Sequence, residues 1–68
     1  MTVRYYLGKL EQEKLMHTVY NAPFAPSKGD FVAFNEDDPT NYKVMYRMYL
    51  PFDDTYEIFI RESISEDY

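Results

Sequence analysis

A chain of 68 residues without cysteine has a small interior to fold on, and neither disulfides nor thiolate metal sites to reinforce it. Eight Tyr and five Phe supply most of the bulk for a core, each burying a large area while every tyrosine hydroxyl needs a partner or water. Twelve acids against seven bases leave a net charge of −5. That balance argues against a nucleic-acid binder that neutralises phosphates and against an anionic membrane surface, and it favours a basic or acid-poor partner.

The opening "MTVRYYLGKL" has no apolar stretch of signal-peptide length, and no segment approaches the roughly 18 apolar residues of a membrane span. The expected location is the cytoplasm, whose reducing conditions suit a cysteine-free chain. Residues 2–7, "TVRYYL", alternate Val3, Tyr5 and Leu7 against Thr2, Arg4 and Tyr6, which predicts a strand. Gly8 reads as a turn residue. The run 10–15 has the spacing of a helical turn, but it is too short to hold one alone, so a loop or ragged hairpin is the preferred reading. Residues 15–20, "LMHTVY", again suit a strand.

Two prolines and a glycine in "NAPFAPSKGD" exclude a central strand. They predict an extended connector that ends in a turn over 27–30. A third strand follows at 31–35, "FVAFN", then a solvated turn, "EDDPTN". The longest predicted strand is 42–50, "YKVMYRMYL", stopped by Pro51. Strict alternation puts Tyr42, Val44, Tyr46, Met48 and Leu50 on a core face, and Lys43, Met45, Arg47 and Tyr49 on the opposite one. The last strand, 55–60, turns Tyr56, Ile58 and Ile60 one way and Glu57 and Phe59 the other. Periodicity is lost in "RESISEDY" (61–68), and the tip of the acidic tail 63–68 is expected to fray.

Five short strands with tight turns and no long helix predict one all-β domain over 1–62, a small five-stranded antiparallel SH3-like barrel or a strongly bent sheet. In detail, "PFAPSKGDFVAF" followed by "YKVMYRMY" resembles a pattern of small, mostly uncharacterised bacterial and phage β-proteins. There a P-x-x-G-D turn introduces a strand, and a Tyr-x-Val strand follows after a hairpin. Pro26, Gly29, Asp30, Val32, Phe34, Tyr42 and Val44 carry the resemblance, which covers about two-thirds of the chain. The longer acidic hairpin "NEDDPTN" departs from it. The resemblance implies the fold, and it implies no catalytic residue.

Chemistry has little foothold. His17 is the single histidine and reads as a buried or half-buried structural imidazole beside Leu15 and Val19. Ser27, Ser63 and Ser65 lie outside any G-x-S-x-G elbow. The acidic runs 35–41 and 52–57 offer oxygens for calcium, yet neither has the spacing of a calcium loop; Asp and Asn are favoured at such turns because they cap the backbone. Glycines 8 and 29 are too far apart for a phosphate loop. The expectation is a protein that is not an enzyme and holds no metal or cofactor.

What stands out is the second face of 42–50, which carries Met45, Arg47 and Tyr49 where a wet face is expected. If the last three strands form a meander, these gather with Phe31, Ala33, Phe59 and Arg61 into one patch. Phe, Tyr, Met and Arg are the types enriched at interface centres, so Phe31, Met45, Arg47, Tyr49, Phe59 and Arg61 form the predicted protein-binding site. The opposing expectation is that the N-terminal hairpin or the "APFAP" connector covers the patch as a second core. Three functions follow. The favoured one is a protein-interaction module, by resemblance a small phage-type inhibitor that docks on a host or defence protein through the patch or by strand addition at an edge. The others are a homo-oligomer or accessory subunit, and an acidic nucleic-acid mimic.

Overall fold

Alternation carries the strands with few exceptions. The chain is described here by a computed structural model covering residues 1–9 and 11–67. Its strands are β1 (Thr2–Leu7), β2 (Lys14–Val19), β3 (Phe31–Val32), β4 (Tyr42–Leu50) and β5 (Thr55–Glu62). They form one sheet in the order β2-β1-β5-β4-β3. The expected five-stranded all-β class holds, as a curled half-barrel. One pair, β1 with β5, is parallel, so the sheet is mixed and not wholly antiparallel.

β3 is shorter than the predicted 31–35. Phe34 leaves the sheet and turns into the core, with its ring 5.0 Å from Tyr5 and 5.4 Å from Tyr42. The acidic turn then caps itself: Asn35 Oδ1 accepts from the Asp37 amide at 3.0 Å, and Asp38 Oδ1 from the Thr40 amide at 2.9 Å. The Thr40 bond also holds the Asp38 carboxyl below its ordinary pKa. The helical alternative for 10–15 depends partly on Leu10, which lies outside the described residues. Glu11 and Gln12 form a turn, and β2 begins at Lys14.

The inner face of the curl is the core. Val3, Val44, Ile58 and Ile60 are buried there with Ala22 of the connector, and Tyr5, Leu7, Val19, Val32, Tyr42 and Tyr56 pack around them. The connector crosses this face. The Ala22 amide donates to the Met1 carbonyl at 2.7 Å, and Arg47 Nη1 donates to the Ala25 carbonyl at 3.4 Å. At the expected turn, the Asp30 carboxylate accepts from the Ser27 amide at 2.7 Å, and Gly29 takes φ +92°. A side chain is strained at such a φ.

Two β-bulges break the alternation. Tyr5 pairs with His17 but Tyr6 pairs with Leu15, so Met16 is the extra residue in β2. Val44 pairs with Ile60 but Tyr46 pairs with Phe59, so Met45 is the extra residue in β4. A bulge shifts every later side chain to the other face. Beyond Met45, Arg47 and Tyr49 therefore lie on the inner face opposite Ile58 and Tyr56, while Tyr46 and Met48 lie outside. This reverses the face assignment expected for residues 46–50.

Two other expectations change. His17 is exposed, because β2 is an edge strand; its ring still lies 5.4 Å from that of Phe34. The tail folds back along the sheet as far as residue 67: Ser63 donates through its amide (2.9 Å) and Oγ (3.0 Å) to the Asn41 carbonyl, and Ser65–Asp67 form a 3-10 turn. Tyr68, the last residue of the expected frayed tail, lies outside the described residues.

Candidate functional site

The two bulges flank the same cross-strand row. Leu15 pairs with Tyr6, Tyr6 with Phe59, and Phe59 with Tyr46, so four residues from β2, β1, β5 and β4 line up across the outer face. The three rings stack, with Tyr6 5.6 Å and Tyr46 4.7 Å from Phe59, each tilted only 21° from it. Offset aromatic stacking contributes roughly 0.5–1.5 kcal/mol per pair beyond area burial. Phe59 is thereby covered from both sides and is 1% exposed, although it does not belong to the inner core cluster.

The ends of the row remain open. Leu15 is 51% exposed and Tyr46 36%. Met48 is 37% exposed and belongs to the next row out, with Glu57, Arg4 and Thr18. Within that row Glu57 Oε2 accepts the Tyr6 hydroxyl at 3.1 Å. Burial first, and then this carboxylate, raise the Tyr6 phenol above its ordinary pKa. The phenol therefore stays a neutral donor at physiological pH.

On the other side of the aromatic row runs a row of Arg61, Lys43 and Phe31. The Lys43 ammonium lies 5.9 Å from the Phe31 ring centre, within cation–π reach. Lys28, Gly29, Lys43, Val44, Met45 and Arg61 line a cleft of about 530 Å³ beside it. Asp67 bends back onto this row. Its carboxylate takes two bonds from Arg61, at 2.9 and 3.0 Å, and lies 3.6 Å from Lys43. The Arg61 guanidinium holds the Asp67 carboxyl well below the usual range, helped by the Ile64 amide.

The six residues of the predicted patch separate accordingly. Phe31 and Arg61 share the cation row, and Met45 lines the cleft with Arg61. Phe59 shares their face, but its rim neighbours cover it. Arg47 and Tyr49 are on the inner side. There the Arg47 guanidinium sits 5.0 Å from the Tyr56 ring centre, and the Tyr49 hydroxyl donates to Asp54 at 3.1 Å. Both stay exposed, Tyr49 at 45%, although they lie on the inner side and the connector carbonyl of Ala25 takes a bond from Arg47.

Alternation missed Tyr6, Leu15, Tyr46 and Met48. A signal was present in "IFI" (58–60), where three consecutive residues are buried. A run buried on both sides requires cover on the outer face as well as the inner.

No protein-family model, curated protein or solved structure matches this chain. Among the described residues, no helix is long and apolar enough to cross a membrane, and no three His, Asp or Glu side chains are grouped to hold a metal ion.

Proposed function

We propose that the protein is a non-enzymatic protein-interaction module that docks on another protein through the outer face of its sheet. The observation that carries this reading is the row Leu15–Tyr6–Phe59–Tyr46, with its buried centre and open ends. The bulges at Met16 and Met45 put the two open ends, Leu15 and Tyr46, on one face with the stack between them. Exposed apolar side chains gathered on one face mark contact sites on globular proteins. A rigid aromatic centre with an Arg and Lys margin has the composition of an interface core. The stack is ordered before any partner arrives, which lowers the entropy cost of binding.

Of the acids that a nucleic-acid mimic would use, those of 36–38 and 53–54 lie at opposite ends of β4, and Asp67 of the tail is paired with Arg61 and Lys43. That separation favours protein docking over mimicry. A reducing cytoplasm is the setting this reading assumes.

The test is capture of a partner from the native host, followed by binding of the purified partner to variants. Leu15→Asp with Met48→Asp should weaken binding by at least about tenfold, roughly 1.4 kcal/mol, with the unfolding midpoint close to wild type. Wild-type affinity in that double variant overturns the reading. Sedimentation equilibrium of the protein alone shows whether the partner is a second copy.

A further inference from the structure

Three of the seven basic residues of this acidic chain, Lys28, Lys43 and Arg61, line one cleft beside the bulge at Met45, and no acid is among its lining residues. They come from separate places: the 27–30 turn, β4 and β5. The carboxylate that Lys43 and Arg61 meet is supplied from outside the sheet. Asp67 sits with its side chain only 8% exposed, bidentate on Arg61 and next to Lys43. Lys28 takes part in no ion pair among the described residues. One tail carboxylate therefore meets two of the three cations, and among the described residues Lys28 is left without an acid beside a cleft of about 530 Å³. Planar guanidinium geometry suits a carboxylate held by two parallel bonds.

We propose that this cleft is a receptor for an acidic peptide segment of the partner, and that Asp67 engages two of its cations, Arg61 and Lys43, in the free protein as a built-in stand-in ligand. The proposal rests on the outer face being the docking surface, and it names the chemistry of the segment docked there: a carboxylate-bearing side chain next to an apolar residue. The chain's own tail has this form, since Ile64 precedes Asp67 by one 3-10 turn and its amide caps the same carboxylate at 2.7 Å. Two anions cannot both take the Arg61 fork, so a partner carboxylate must displace Asp67. Apparent affinity is then reduced by the fraction of molecules with the tail in place.

The experiment titrates the isotope-labelled full chain with an acetylated, amidated peptide of sequence SISEDY at low salt, following the backbone amide signals. Asp67→Ala is expected to bind the peptide saturably, with shifts centred on Lys28, Gly29, Lys43 and Arg61. Wild type should bind at least about tenfold more weakly, because its own carboxylate competes. Asp67→Asn, which keeps the side-chain shape, should behave like Asp67→Ala. Adding Lys28→Ala on its exposed turn should weaken binding again, and the peptide SISENY should bind poorly. Equal binding of SISEDY by wild type and both Asp67 variants, or shifts away from the cleft, overturns the proposal. So does inorganic phosphate competing as well as the peptide at the same concentration, since the site would then be a general anion site. None of these outcomes touches the Leu15 and Met48 result, so failure of the peptide site and failure of outer-face docking are told apart.

Discussion

Phe59 lies between the rings of Tyr6 and Tyr46 on the side of the sheet away from the main core. Its burial depends on two neighbours and on no second layer of the fold. Phe59→Ala should destabilise by about 3 kcal/mol, the lower end for a buried aromatic, because the flanking rings can lean partly into the gap. Urea unfolding checks this, and a cost under about 1 kcal/mol would mean the stack is not held. Asp67 makes a different demand. Its carboxyl is depressed in the folded state, so its contribution is fully present above the ordinary Asp value of about 3.9 and is lost as pH falls through the lower folded value. The stability difference between wild type and Asp67→Asn should therefore be constant from about pH 8 to pH 5 and shrink on further acidification. Urea midpoints from pH 8 into acid measure it, and a difference that stays constant into strong acid would contradict the pairing of Asp67 with Arg61.

Strands were legible at the element scale because their alternation is strong: β1, β4 and β5 stand where the period of two places them, and the Pro-Gly connector and its 27–30 turn do too. The bulges were not legible. Met16 and Met45 are unbranched and flexible, so they suit the irregular site of an extra residue, and nothing in "LMH" or "VMY" marks one residue as unpaired. Alternation on a single strand also cannot register a phase change, since both phases of 42–50 carry apolar side chains. Only the partner strand fixes the count. Deleting Met45 tests the count. Tyr46 would then follow Val44 in regular pairing with Phe59 and Ile60, so Tyr46 and Met48 stay outward, Arg47 and Tyr49 stay inward, and cooperative unfolding should be kept. Loss of cooperative unfolding would contradict the bulge, because deleting a regularly paired residue turns every later side chain to the other face.

For the whole molecule, the sheet is a half-barrel with an inner face crossed by the connector and an outer face left open. On 42–50 the bulge divides the sticky second face. Arg47 and Tyr49 lie on the inner face, in contact with Ala25, Tyr56 and Asp54 yet still exposed, whereas Tyr46 and Met48, assigned to the core by alternation, face outward. The edge position of β2 explains another mismatch. An edge strand has one neighbour, so His17 stays exposed where its place beside Leu15 and Val19 suggests burial. The proposed docking starts from residue chemistry, the aromatic, Met and Arg content, but which of those residues the proposal puts at the contact depends on register.

The most direct measurement compares Tyr46→Asp with Tyr49→Asp for unfolding midpoint and for affinity to the purified partner. With the bulge at Met45, Tyr46→Asp should stay folded and lose binding. Tyr49→Asp should lose stability, by giving up its contacts with Tyr56 and Asp54, and keep its affinity wherever it remains folded. The reverse pattern, with Tyr46→Asp unfolded and Tyr49→Asp stable but unable to bind, would contradict both the register and the docking face.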